Sequence, residues 1–78
     1  MRIEIQKFAK LMNSKLDQRQ EKYAGDTWKE YHVLELLNHL ELEVKELREA
    51  VDNNSNISEE AVDVANMAMF IADICGGL

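Results

Sequence analysis

Four carboxylates in the second half of the chain repeat one spacing. Glu43 and Glu46 lie three residues apart in the segment EVKE, and Glu60 and Asp63 repeat that spacing in EAVD. On an α-helix, residues at this spacing lie on the same side and one turn apart. Two such pairs indicate either a solvated acidic surface or a site for a divalent cation. Oxygen ligands without clustered cysteine or histidine suit Mg²⁺, with Mn²⁺ as the alternative.

The first acidic pair belongs to a predicted helix from about Lys29 to Asp52, with Asp26 or Thr27 as its cap. Apolar residues recur on one face of this helix at the helical period: Val33, Leu37, Leu40, Val44, Leu47 and Val51. A projection at about 100° per residue places Glu43 beside this face. His39 lies one turn before Glu43 and is interpreted as its structural partner, with a ligand contact as the alternative.

The second acidic pair belongs to a helix that is apolar on nearly every side. Ser58 is the predicted N-cap, and the helix continues to about Ile74 and ends at Gly76-Gly77. Its polar residues fill a limited sector: Glu59, Glu60, Asp63, Asn66 and Asp73. Because an unpaired buried carboxylate is costly, this sector must face water, a ligand or a partner. Asn66 is interpreted either as an amide that orients a ligand or as simple polar packing.

These elements predict an all-α helical bundle of about three helices, forming one domain over residues 1–78. A first helix from Ile3 to Lys22 precedes a turn in the segment YAGDTW, and proline is absent throughout. The polar loop NNSN joins the second and third helices, which are therefore predicted to be antiparallel neighbours with their acidic pairs at similar heights. Three helices cannot surround the apolar third helix. We therefore expect other subunits to complete the core, in a homodimer or homotetramer.

The charge and composition limit the partners. With a formal net charge of −6, the chain is not expected to bind nucleic acid polymers, which require basic patches. No uninterrupted apolar run approaches about 18 residues, so no membrane segment is expected. Cys75 is the only cysteine, which indicates a reducing compartment or indifference to redox conditions. We expect a cytoplasmic protein.

At the acidic motifs the sequence resembles the MazG-type all-α nucleoside triphosphate pyrophosphohydrolases. This superfamily also contains dimeric dUTPases and phosphoribosyl-ATP pyrophosphohydrolases. Its signature is ExxE on one helix and ExxD on the next, which EVKE and EAVD match here. The flanking segments EVKELREAV and EEAVDVANMAMFIA also agree with the family pattern, and the resemblance covers about Tyr31 to Cys75.

The resemblance implies Mg²⁺-dependent cleavage of a (d)NTP between its α and β phosphates, giving the (d)NMP and pyrophosphate, and a role in clearing unwanted nucleotides. The four motif acids would be both the metal ligands and the catalytic residues, with water attacking phosphorus. The general base would be one of these acids, Glu49 or Glu59. The alternatives are a non-catalytic helical oligomerisation module, an inactive relative, or a phosphoribosyl-ATP reaction.

A nucleotide also needs contacts for its phosphates and its base. Every lysine and arginine lies at or before Arg48, so phosphate-binding charge would come from another subunit or from Lys7, Lys10, Lys15, Arg19, Lys22 or Lys29. Trp28 and Tyr31 stand at the start of the acid-bearing helix. They are interpreted either as aromatics that stack on a nucleobase or as residues at the edge of the core or of an interface.

Overall fold

The computed structural model describes residues 1–19 and 27–78, which are almost entirely helical. They form α1 (Ile3–Gln18), a 3-10 helix (Thr27–Glu30), α2 (Val33–Asn53) and α3 (Ile57–Ile74). Neither range contains a strand, which confirms the all-α prediction with three long helices. Within these ranges no helix combines the length and the apolar character that a membrane crossing requires.

The start of α2 differs from the prediction of Lys29, because residues 27–30 form the 3-10 helix instead. His32 is the N-cap of α2, and its Nδ1 accepts a hydrogen bond from the backbone N–H of Leu34 at 3.1 Å. In return the Glu35 carboxylate accepts a hydrogen bond from the backbone N–H of His32 at 3.0 Å. This reciprocal capping satisfies N–H groups that would otherwise lack partners at the helix start.

Two other predicted boundaries concern the connection between α1 and α2. Thr27 begins the 3-10 helix and does not cap α2. Helix α1 ends at Gln18, with Arg19 as its C-cap, so it is shorter than the predicted end at Lys22. Lys22 and Asp26 lie outside the described residues, as does most of the predicted turn.

The loop between α2 and α3 depends on asparagines in the left-handed backbone conformation. Asn54 has φ of 51° and Asn56 has φ of 58°, a region that asparagine tolerates better than most residues. Asn56 is the N-cap of α3, so the prediction of Ser58 is wrong by two residues. The loop is short, and α2 and α3 pack along each other as an antiparallel pair.

The buried core joins α2, α3 and the 3-10 helix. Leu36, Met67 and Phe70 form its centre, and Phe70 is only 1% exposed. Trp28 stacks on Phe70 with ring centroids 4.6 Å apart and 14° between the planes. The indole Nε1 of Trp28 also donates a hydrogen bond to Asp73 at 3.0 Å. This pair of contacts holds the 3-10 helix against the C-terminal half of α3.

The predicted apolar face of α2 is only partly buried. Its members Leu37, Val44 and Val51 are 39%, 48% and 52% exposed in the single chain. Helix α1 contains no buried residue, and Ile5 and Phe8 lie on its surface. The expected completion of the core by other subunits stays a prediction.

Candidate metal centre

Glu43 lies in the row of α2 residues that faces α3. Leu36 and Ala50 are seven residues before and after it, and the three residues are 4%, 7% and 7% exposed. The sequence pattern placed Glu43 beside the apolar face, whereas the structure places it in the centre of the buried row. Burying a carboxylate where an apolar residue would pack is costly unless something compensates its charge. This position therefore makes Glu43 a candidate for a functional residue.

Helix α3 brings two more carboxylates to Glu43. Glu60 and Asp63 lie one turn apart on α3, and one oxygen from each of the three acids lies within 4.8 Å of the others. Oxygen ligands bind Mg²⁺ at about 2.1 Å and Ca²⁺ at somewhat longer distances, so one cation can contact all three after small adjustments. Glu46, the fourth predicted acid, is exposed and does not belong to this close group.

Burial and the neighbouring acids both raise the pKa of two carboxyl groups of the cluster. Burial, and then the neighbouring Glu46, Asp63 and Glu60, raise the pKa of Glu43 to about 7. Burial, Asp63 and Glu46 also raise the pKa of Glu60, while the nearby Lys15 opposes that change. Glu46 is therefore close enough to act on both Glu43 and Glu60. A divalent cation would oppose both shifts, because its positive charge favours the ionised carboxylates.

Three polar atoms at the cluster lack hydrogen-bond partners within residues 1–19 and 27–78. They are Oε2 of Glu43, Oε2 of Glu60 and Oδ1 of Asn66. All three are acceptors, and buried polar atoms without partners are rare in folded proteins. A cation would satisfy acceptors of this kind, whereas an anion would not. The available metal ligands are all oxygen atoms, which suits Mg²⁺ or Mn²⁺.

His39 orients the carboxylate of Glu43. Its Nε2 lies 3.1 Å from Oε1 of Glu43, one helical turn away on α2. The contact occupies one oxygen of Glu43 and leaves the other, Oε2, directed elsewhere. This geometry matches the interpretation of His39 as a structural partner of the acid.

In the described part of the chain, α1 and its C-cap bring a lysine and an arginine to the cluster. Nζ of Lys15 lies 3.5 Å from Oδ1 of Asp63, and Nη2 of Arg19 lies 3.7 Å from Oδ2 of the same residue. Asn66 fixes the same helix, because its Nδ2 donates to the backbone carbonyl of Met12 at 3.2 Å. Arg19 stood in the sequence only among six basic candidates. Its spacing of four residues from Lys15 was a usable signal, since it puts both side chains on one side of α1.

A cleft adjoins the cluster through His39. Trp28, Tyr31 and His39 line a cleft of ≈ 220 Å³ together with Leu36, Met67 and Phe70. One face of the Trp28 ring is covered by Phe70, which makes this residue part of the core edge. Tyr31 is 48% exposed at the rim.

The described residues therefore bring three acids and two basic side chains together between α1, α2 and α3, and an aromatic cleft adjoins them through His39. Glu43 and Asp63 are buried in this cluster, and Glu46 lies at its exposed margin. Comparison of the chain with protein-family models, with curated proteins and with solved structures gives no match.

Proposed function

We propose that the protein is a Mg²⁺-dependent nucleoside triphosphate pyrophosphohydrolase of the MazG type. It would convert a (d)NTP to the (d)NMP and pyrophosphate and act in the cytoplasm to clear unwanted nucleotides. The observation that carries the proposal is Glu43, a buried acid with an unpartnered oxygen, close to Glu60 and Asp63. The order of the ExxE and ExxD motifs supports the same family.

The carboxylates of Glu43, Glu60 and Asp63 would hold the cation. When bound, the ion would supply positive charge that neutralises the phosphate oxygens during cleavage. His39 keeps Glu43 oriented through the 3.1 Å contact. Glu46 is exposed and adjacent to this group, so we assign it the role of accepting a proton from the attacking water.

The cleft beside His39 is the proposed location of the nucleobase. It has a volume of ≈ 220 Å³ and is lined mainly by aromatic and apolar side chains. Tyr31 and the uncovered parts of Trp28 and His39 would contact the base. The cleft lies next to Glu43 through His39, so a nucleotide can extend from the base cleft to the acids.

The test is pyrophosphate release from a panel of ribo- and deoxyribonucleoside triphosphates, with and without Mg²⁺. The wild-type protein should release pyrophosphate only with the cation, and the double change Glu43→Gln with Asp63→Asn should abolish turnover while the helices remain folded. Glu41→Gln is the matched control, because Glu41 is an exposed acid two residues from Glu43 on the same helix. No turnover with any nucleotide, together with no stabilisation by Mg²⁺ or Mn²⁺, would refute the proposal.

We also propose that the protein is a homodimer or homotetramer. Ile5 and Phe8 of α1 line an apolar groove, and Leu37, Val44 and Val51 expose a second apolar surface on α2. A helix as short as α1 that buries no residue requires tertiary contacts for its stability, and a chain of this length has little core of its own. A second copy of the chain supplies matching apolar surfaces.

The oligomeric state is measurable by light scattering coupled to size exclusion, and Phe8→Ser should shift the mass toward that of one chain. A monomeric wild-type protein at micromolar concentration would contradict this assignment. The same exposed residues favour the second candidate function, a non-catalytic oligomerisation module. That reading predicts the same oligomer without metal-dependent turnover.

A further inference from the structure

We propose that Lys15 and Arg19 bind the polyphosphate of the ligand. They would exchange their ion pairs with Asp63 for contacts with phosphate oxygens. In the structure both side chains form ion pairs with Asp63. Once a divalent cation binds the carboxylates, the two side chains transfer to phosphate oxygens of the ligand. The inference rests on the proposed function and names the residues that would recognise its substrate.

The two ion pairs have the geometry of a loose association. At 3.5 Å and 3.7 Å they are longer than the roughly 2.7–2.9 Å of a strong charge-assisted hydrogen bond. Each basic group approaches a different oxygen of Asp63, so neither displaces the other. The Arg19 side chain is 37% exposed, and both side chains have long flexible stems. They can therefore exchange one anionic partner for another without moving α1.

The charge of the loaded site requires such a pair. Three carboxylates around one divalent cation leave one negative charge uncompensated, and Glu46 at the margin adds a second, so the site would repel a polyphosphate. Lys15 and Arg19 balance these charges. No lysine or arginine follows Arg48 in the sequence, so α3 itself supplies no basic side chain.

Space for the ligand adjoins Lys15. This residue lines a small pocket with Arg19, Glu43 and Asp63, and it also borders an open cleft of ≈ 310 Å³ between α1 and the start of α3. The lysine ammonium therefore stands between the acids and a solvent-filled volume. A phosphate chain that extends from the acids toward this cleft would pass Lys15, and Arg19 lines the small pocket beside the acids.

The transfer predicts effects of opposite sign on two binding constants. The double variant Lys15→Gln with Arg19→Gln should bind Mn²⁺ about threefold or more tightly in the absence of nucleotide, because two competing positive charges are gone. With saturating Mn²⁺, the same variant should bind inorganic pyrophosphate at least about tenfold more weakly, because two charge-assisted hydrogen bonds are lost. Isothermal titration calorimetry measures both constants without turnover.

The matched control is Lys7→Gln with Lys10→Gln, which removes the same charge from exposed positions on α1. It should leave both constants within about twofold of wild type, since exposed charges at a distance are screened. Lys15→Arg should retain pyrophosphate binding. If the double variant does not fold, as judged by circular dichroism, the single changes Lys15→Gln and Arg19→Gln should each show part of both effects.

The proposal is overturned if pyrophosphate affinity is unchanged in the double variant, or if the wild-type protein binds neither Mn²⁺ nor pyrophosphate. It is also overturned if the control weakens pyrophosphate binding equally. These outcomes are separable from those for catalysis. If the double variant shows the two opposite shifts in affinity but the wild type hydrolyses no nucleotide, Lys15 and Arg19 bind polyphosphate and the enzyme proposal is refuted. If the wild type hydrolyses nucleotides but the double variant binds pyrophosphate as tightly as wild type, the enzyme proposal stands and the role of Lys15 and Arg19 is refuted.

Discussion

Replacing Glu43 with glutamine should stabilise the metal-free protein at alkaline pH. Burial and the neighbouring acids raise the pKa of Glu43 from 4.5 to about 7. Between these values the folded protein holds a proton that the unfolded chain has released, so the stability of the wild type falls as the pH rises through this window. At about 1.36 kcal/mol per pH unit, the loss reaches roughly 3 kcal/mol above pH 7. Glutamine resembles the protonated acid and avoids this loss.

The assay is urea denaturation followed by circular dichroism, with a chelator present, at about pH 4.5 and about pH 8. We expect wild type and Glu43→Gln to have similar free energies of unfolding at the lower pH. At the higher pH the variant should be more stable by about 1–3 kcal/mol, which in a domain of this size raises Tm by about 4–8 °C per kcal/mol. The control Glu41→Gln should change neither value, because Glu41 is exposed.

Divalent cation should offset most or all of this difference. Binding at a hundred times Kd stabilises a protein by about 2.7 kcal/mol, so Mn²⁺ should raise the stability of the wild type and have little effect on Glu43→Gln. A variant that is less stable than wild type at pH 8 with chelator would refute the reasoning. It would mean that the contact of His39 with Glu43 outweighs burial and repulsion.

Three further changes test separate parts of the structure. Glu46→Gln should reduce turnover at least about a hundredfold while Mn²⁺ affinity by calorimetry stays within a few-fold, and equal loss of both would place Glu46 among the ligands instead. Trp28→Ala should lower the free energy of unfolding by about 2–4 kcal/mol in urea denaturation, because the stack on Phe70 and the hydrogen bond to Asp73 are lost; Trp28→Phe should lose less. By the same measurement, Asn54→Ala should lower the free energy of unfolding by about 1 kcal/mol and Asn54→Gly should not, because Asn54 has φ of 51°. An equal loss in both variants would show that the left-handed backbone conformation is not the cause.

Helical periodicity and turn residues were sufficient to predict the three long helices and the loop between the second and third. The boundaries were less accurate because unusual residues form the caps. His32 begins α2 through its imidazole, although histidine is not a preferred N-cap. Asn56 begins α3 from the left-handed region, two residues before the serine that the pattern favoured.

The burial of Glu43 could not be read from α2 alone. Apolar residues occupy two neighbouring rows of this helix, and the choice of the row that faces α3 is made by packing between helices. The structure selects the row with Leu36 and Ala50 and leaves the row with Leu37 and Val44 exposed. The ion pair between Lys15 and Asp63 likewise depends on how α1 packs against α3. The spacing of residues along either helix does not specify that packing.

The stack of Trp28 on Phe70 gives the protein an internal optical reporter. Trp28 is the only tryptophan in the chain, so all indole fluorescence comes from the junction between the 3-10 helix and α3. Its hydrogen bond to the Asp73 carboxylate makes its emission sensitive to any release of that junction. Since the same ring lines the cleft with His39, a ligand that enters the cleft would change the signal of the unlabelled, unmodified protein.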